Sequence, residues 1–351
     1  MPDRSRLPDR LKLELPIIQA PMAGVQGAAL AIAVSNAGGL GSLPAAMLDA
    51  AGLHTALSAL RDGTTRPWNV NFFCHQPPAP DPAREQAWRA LLAPYYREHG
   101  IDPAGMGAGP GRAPFSAAVA DLVEPFRPPV VSFHFGLPSA ELLARVKGWG
   151  ALVLSSATTV AEARWLHAHG ADVIIAQGLE AGGHRGMFLS DDPTSQLGSL
   201  ALLPQVLDAV PLPVIAAGGF ADARGVAAAL ALGAAAVQVG TAYLLCPEAS
   251  TSALHRAALR SPQAGHTALT NLFSGRPARG IVNRVMRELG PLNAAVPAFP
   301  LATGAITPLR AAAEAQGNTD FSPLWAGQNV SGCREIPAAE LTRALAGAVL
   351  G

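Results

Sequence analysis

Eight short apolar runs recur along the first 240 residues, and small or polar residues close them. They are "PIIQA" (16–20), "GGLGSL" (38–43), "WNVNFF" (68–73), "VVSFHF" (130–135), "ALVLSS" (151–156), "DVIIAQ" (172–177), "PVIAAGG" (213–219) and "AAVQVG" (235–240). Runs of this length without polar alternation fit strands buried on both faces. Between most of them lie alanine-rich stretches with helical spacing, at 27–37, 158–170 and 221–233. The last opens on Asp222, an N-cap residue type, and closes on Gly233, a C-cap type. Strands alternating with helices predict parallel β/α units, and eight is the number that closes a TIM (β/α)8 barrel. A doubly wound open sheet competes, but no G-x-G-x-x-G follows the first run.

The rhythm breaks twice. Residues 76–129, after the third run, are proline-rich yet carry Trp88, Tyr95 and Tyr96, which predicts a small subdomain or lid with aromatics to bury. From 247 to 351 the pattern is mixed, and it predicts a mostly helical cap packed on a barrel of residues 1–246. The chain has 351 residues, 50% of them hydrophobic, enough for a large core. Lys and Arg number 25, as do Asp and Glu, so no basic stripe points to nucleic acid or an anionic membrane. The three cysteines, Cys74, Cys246 and Cys333, form no CxxC or metal-like spacing. The charged start "MPDRSRLPDRLKLELP" lacks the apolar core of a signal peptide. No uncharged apolar run reaches the ~18–20 residues of a membrane helix. These features predict a soluble protein of a reducing, cytoplasmic compartment.

In a β/α barrel chemistry collects where strands end. The third run supplies Asn71, the fourth His134 and the sixth Gln177, which continues into "QGLEAGGHRG" (177–186). The seventh run ends in Gly218-Gly219 and the eighth in Gln238, Val239, Gly240 and Thr241. Glycine turns at two adjacent strand ends let backbone N–H groups face an anion, and this is where barrels of this class bind phosphate. A plain tight turn is the simpler account of either pair alone. The amides of Asn71 and Gln177 suit a heterocycle with mixed hydrogen-bonding edges, although each also fits a satisfied core amide. Together they predict a nucleotide-like cofactor across the barrel mouth.

The segments "PIIQAPMAG", "AGGLGSL", "VNFF", "QGLEAGGHRG", "GGFADARGVAAALALGA" and "QVGTAYL" resemble the nitronate monooxygenase family, in particular its class I members. The resemblance runs from about Ile17 to Gln328, with "SGRPARG" (274–280) and "WAGQ" (325–328) fitting the C-terminal part. It implies a TIM barrel that holds FMN non-covalently and oxidises alkyl nitronates, such as propionate 3-nitronate, with O2 to carbonyl compounds and nitrite. The implied flavin contacts are Pro21, Met22, Asn71, Gln177, Gly182, Gly219 and Gln238 through Thr241, with Gly183 and Gly218 completing the glycine turns. On this reading Gly182 and Gly183 let the chain pass close to a flat flavin. The implied catalytic histidine is His184, with His134 beside the substrate. A tyrosine-bearing segment lines the family's site, but residues 294–304 here hold Phe299 and no tyrosine, so nothing carries over there.

Three residues keep two readings. Arg185 is a surface ion pair or a tie within its loop. Arg276 and Arg279 bind a substrate carboxylate or cofactor phosphate, or else tie the cap to the barrel. Cys246 has no adjacent cation and reads as an inert thiol. The competing activity on the same barrel is an NAD(P)H-dependent reductase of the enoyl-acyl-carrier-protein or quinone type, since fold alone does not separate the two.

Overall fold

A computed structural model of the chain describes Leu7, residues 11–103 and residues 112–347. Parts of the charged start, of the insertion and of the C-terminal end thus lie outside the described residues. The first half runs β1 (Ile17–Gln19), α1 (Ala28–Asn36), β2 (Gly41–Pro44), α2 (Ala50–Gly63) and β3 (Trp68–Phe73). It continues through α3 (Pro82–Glu98), α4 (Ala117–Val123), β4 (Val130–His134), α5 (Ala140–Gly148) and β5 (Leu152–Ala157). Then come α6 (Val160–Ala168), β6 (Val173–Gln177), β7 (Gly183–His184), α7 (Ser199–Ala209), β8 (Val214–Ala217), α8 (Ala223–Ala231) and β9 (Ala236–Val239). The rest is α9 (Ala253–Arg260), β10 (Thr267–Thr270), β11 (Ala278–Ile281), α10 (Arg284–Leu289), α11 (Thr303–Ala315) and α12 (Ala338–Ala346).

All eight predicted runs are strands of one sheet, ordered β1-β9-β8-β6-β5-β4-β3-β2 with every pair parallel. The seam between β1 and β2 is short. It closes through the Ile18–Leu40 bridge, where Gln19 N–H donates to the Leu40 carbonyl at 2.9 Å and Leu40 N–H to that of Ile17 at 2.9 Å. The ring is a TIM barrel. Ile18, Leu40, Val130, Leu154, Val173 and Ile215 fill its interior, joined by Leu7 and Leu11 from the N-terminal segment. Alternate residues face outward, so Val70, Phe72, Val131 and Val153 pack beneath the helices instead. The Asp222 carboxylate caps α8 by accepting from Gly225 N–H at 3.0 Å, and Gly233 follows the helix at φ +102°.

The proline-rich insertion divides its helices. Those of α4 pack on the barrel, with Ala120 and Val123 in its outer core. Helix α3 leaves the barrel and buries Trp88, Leu92, Tyr95 and Tyr96 against Leu272, Phe273, Ile306, Leu309 and Phe321. These aromatics build a second core with the C-terminal segment, so the insertion is half of the cap. The C-terminal segment is mostly helical, as expected, and also holds two strands: β10 and β11 pair antiparallel, and β11 also pairs with β7 in a three-stranded sheet. Its last helix is not part of the cap. Ala338, Leu341, Leu345 and Ala346 of α12 pack into the barrel's outer core with Ile17, Leu30, Val34, Val226 and Ala229. Helix α12 touches α1, α8 and β1, and the Tyr243 hydroxyl meets that of Thr342 at 2.9 Å. It occupies the place of the eighth barrel helix. The C-terminal part of the cap is therefore an insertion between the last strand and the last helix of the barrel, joined by α3 from the insertion after β3.

Candidate active site

The main cavity opens at the carboxyl ends of the barrel strands, where β3, β4, β5, β6, β8 and β9 contribute Asn71, His134, Ser156, Gln177, Ala217 and Gln238. Beneath it lies a polar layer that positions the mouth. Asn69 Nδ2 donates to the hydroxyls of Ser42 (3.0 Å) and Ser132 (2.9 Å), and Asn71 Nδ2 donates to Ser132 Oγ at 2.9 Å. Buried Gln19 and Gln26 hold the turn that carries Pro21 and Met22. Gln19 Nε2 donates to Gln26 Oε1 at 2.6 Å, and the same oxygen accepts from Met22 N–H at 3.1 Å.

One side of the cavity is built from glycine turns. Gly218 and Gly219 adopt φ +108° and +81°, left-handed conformations that disfavour any side chain. A Cβ on Gly219 would also meet Glu180 Cβ at 3.2 Å. Among the described residues, the N–H groups of Gly219 and Gly240 donate to no protein acceptor. Gln238 Oε1 is buried without a partner, on the cavity wall. Unspent donors and an orphaned amide oxygen are what a flat, phosphate-bearing cofactor would satisfy, so these residues fit one. Val239 departs from the expectation. It is 1% exposed and packs outward under the helices, because strand alternation turns it away from Gln238.

The opposite side carries the histidines. The loop after β6 folds back so that β7 pairs with β11 of the cap, placing Ala278 opposite His184 and Arg279 opposite Gly183. Gly182 lines the cavity, as a cofactor contact would, and is also pressed against the cap. A Cβ there would meet Gly327 N at 2.5 Å and the Ala326 carbonyl carbon at 2.6 Å. Gly183, at φ +72°, faces open space on the cavity wall. The segment 325–328 is itself clasped, with Gly327 N–H donating to Thr241 Oγ1 at 2.9 Å and Gln328 N–H to the Glu180 carbonyl at 3.0 Å.

Gln177 and His134 both serve this loop. Gln177 Nε2 donates to the His184 carbonyl at 3.0 Å, and its Oε1 accepts from Gly186 N–H at 2.7 Å. His134 Nδ1 lies 3.0 Å from Ser156 Oγ and Nε2 lies 3.2 Å from the His184 carbonyl. Both its ring nitrogens are therefore committed, and burial pushes its pKa down to about 3. It lines the cavity as a neutral prop beneath the loop. His184 differs. Its Nε2 meets Ser274 Oγ of the cap at 2.8 Å, while Nδ1 has no partner among the described residues. Burial, then the nearby Arg112 charge, hold its pKa well below 6.5, so the ring is neutral at pH 7.

The arginines resolve toward structure. Arg185 is fully buried and donates to the carbonyls of Gly178 (2.6 Å) and Gln177 (2.7 Å) and to Gln196 Oε1 (2.9 Å). It is a tie within the loop, not a surface ion pair. Arg279 Nε donates to the Leu179 carbonyl at 2.9 Å, tying cap to barrel. Arg276 donates to the Met187 carbonyl and lies 4.2 Å above the Phe135 ring. Cys246 is buried and its thiol is pushed up to about 12, as an inert thiol requires. Four features went unread in the sequence. Ser274 partners His184, and Glu162 accepts from Phe188 N–H at 2.6 Å to hold the loop. Phe73, Phe135 and Phe299 wall the histidine side, with Phe299 5.4 Å from the His184 ring. Arg112 lines the same cavity. Ser274 opens "SGRPARG", and Phe73 and Phe135 end two of the apolar runs, but nothing local in the sequence brings these side chains together around His184.

The model of the family described as "Nitronate monooxygenase" matches residues 4–347. A nitronate monooxygenase of Pseudomonas aeruginosa is 45% identical over 344 residues, covering 95% of this chain and 96% of that one. The chain belongs to the nitronate monooxygenase family. Membership makes it an oxidoreductase and places the cavity at the mouth of an enzyme barrel. The solved nitroalkane oxidase from Streptomyces ansochromogenes superposes with a TM-score of 0.89 at 42% identity, covering 98% of this chain and 97% of that one. FabK from Thermotoga maritima is more distant within the same architecture, with a TM-score of 0.71 and 26% identity over 97% of this chain and 94% of its own.

Proposed function

We propose that the protein is an FMN-dependent monooxygenase that oxidises alkyl nitronates, propionate 3-nitronate among them, with O2 to carbonyl compounds and nitrite. The observation that carries this reading is His184: a neutral imidazole on the cavity wall, its Nε2 held by Ser274 and its Nδ1 uncommitted. FMN would lie with its phosphate at the Gly218-Gly219 and Gly240-Thr241 turns, near Pro21 and Met22, and its ring edge toward Gln238 and Asn71. Bound there, it supplies the redox chemistry. The protein supplies orientation and proton control, with His134 and Gln177 acting as positioning residues beneath the His184 loop.

The Ser274 hydroxyl has one proton and two acceptors, His184 Nε2 at 2.8 Å and the Arg276 carbonyl at 3.4 Å. Given to His184, it leaves Nδ1–H free to donate to a nitronate oxygen. Given to Arg276, it leaves the Nδ1 lone pair free to take a proton from a neutral nitroalkane as general base. The nitroalkane oxidase relative favours keeping this second substrate form in view.

The test is direct. The purified protein should release a flavin carrying one phosphate on denaturation, and an alkyl nitronate with O2 should yield nitrite without nicotinamide. Release of FAD or of no flavin defeats the cofactor assignment. Turnover that requires stoichiometric NAD(P)H transfers the assignment to the reductase reading, which the likeness to FabK keeps alive. Gly219→Val should abolish flavin binding while the barrel stays folded, because the side chain fills the turn and opposes φ +81°.

A further inference from the structure

Arg112 is the only Asp, Glu, Lys or Arg among the described residues lining the cavity at the barrel mouth. Its Nη1 is buried without a hydrogen-bond partner. Among the described residues its Nη2 reaches only the Met47 sulfur, at 3.8 Å, and the guanidinium lies 5.8 Å from the Phe299 ring centroid. Arg185 and Arg279 spend donors on carbonyl oxygens, and Arg276, which also leaves its Nε without a partner, does not line the cavity; Arg112 does, and among the described residues that lining holds no carboxylate. The histidines closest to it do not balance it, since the Arg112 charge itself helps keep His75 and His184 neutral. An unbalanced guanidinium with free donors suits an anion, and its planar fork suits a carboxylate best.

Phe299 links this cation to the reacting end of the site, with the His184 ring 5.4 Å and the Arg112 guanidinium 5.8 Å from its centroid. The geometry points to Arg112 as a specificity-determining residue that takes the carboxylate of acid-bearing nitronates, while His184 addresses the nitronate group. This assignment rests on the nitronate reading and deepens it: the enzyme selects dianionic over monoanionic nitronates.

The experiment compares holoenzymes of the wild type, Arg112→Met and Arg112→Lys, with flavin content and thermal midpoint as folding controls. kcat/KM is measured for propionate 3-nitronate and for butyl-1-nitronate, which is of similar length without the carboxylate. Arg112→Met should lower kcat/KM for the carboxylate-bearing substrate roughly 10- to 100-fold more than for the other, through KM, as loss of a charge-assisted hydrogen bond predicts. Arg112→Lys should restore part of the difference. Equal loss on both substrates, or loss on neither, overturns the assignment. Succinate, which mimics the dianion without its chemistry, is titrated calorimetrically in parallel. Wild type should bind it at least tenfold tighter than Arg112→Met, and equal binding or none overturns the assignment. If no nitronate is turned over, the nitronate reading fails by itself and the succinate titration alone decides Arg112.

Discussion

Arg185 has no exposed surface and three oxygen acceptors, so its charge is stabilised by geometry rather than by water. Burial lowers its pKa to about 10, which still leaves it protonated at pH 7. Arg185→Met should cost about 3–5 kcal/mol of stability in chemical denaturation, because it strands two carbonyls and the Gln196 amide. The chain position of Arg185, among glycines at a strand end, was legible; that it serves its own loop was not, since the acceptors are fixed only by the fold. His184 was legible for the same reason, and its tautomer was not, because Ser274 lies 90 residues downstream in sequence. Ser274→Ala should keep full flavin content yet change the ratio of nitroalkane to nitronate turnover at least several-fold, as it removes the proton that selects the tautomer. An unchanged ratio would show that the hydroxyl only positions the ring. The depressed pKa of His184 keeps the neutral form present as pH falls. kcat/KM on a preformed nitronate should therefore show no ionisation near pH 6.5, and His184→Asn should lose at least roughly tenfold in turnover.

Among the elements, the barrel strands were the most legible because each apolar run stops where a glycine or polar side chain must turn the chain. "WNVNFF" spans the whole of β3 at 68–73, and the other seven agree within a few residues. The sheet of β10, β11 and β7 was invisible. β7 is two residues long and β11 reads "ARGI", so neither has a periodicity, and their pairing depends on residues about 95 apart. The role of α12 was hidden differently: its sequence reads as a helix, but its partners are α1 and α8, far back in the chain. The β7–β11 pairing makes the cap part of the support of the loop that carries His184. Gly182→Val should push the 326–327 backbone away, where its side chain has no room. Limited proteolysis should then cleave the cap faster than in wild type, with nitronate turnover falling as well. Gly183→Ala, which meets open space, should cost only ~1–2 kcal/mol from its positive φ.

At the scale of the whole molecule, four imidazoles are buried with their protonation disfavoured. Desolvation lowers the pKa of His134 to about 3, of His255 to about 4, of His184 well below 6.5 and of His75 below 6.5. Unfolded, each would take up a proton near pH 6.5, so the unfolded state binds more protons below that value. Their contribution to stability is complete above pH 6.5 and is lost as pH falls toward the folded values. Each should remove on the order of 1 kcal/mol per pH unit over that interval, visible as a thermal midpoint that drops steadily from pH 6.5 to 4. The described residues include no helix long and apolar enough to cross a membrane, and their burial is directed inward on two cores. Those cores are interleaved in the chain, because the cap is inserted before α12. Deleting residues 337–351 would uncover Leu30, Val34 and Val226, and loss of Leu341 and Leu345 alone forfeits ~1.5–3 kcal/mol each. The truncated protein should unfold or aggregate despite keeping every cavity-lining residue. For a nascent chain this order of parts has a further meaning. Every described residue that lines the cavity is synthesised before the helix that seals the barrel wall. A premature stop just before Ala338 would yield a product for the quality-control machinery rather than a weakened enzyme.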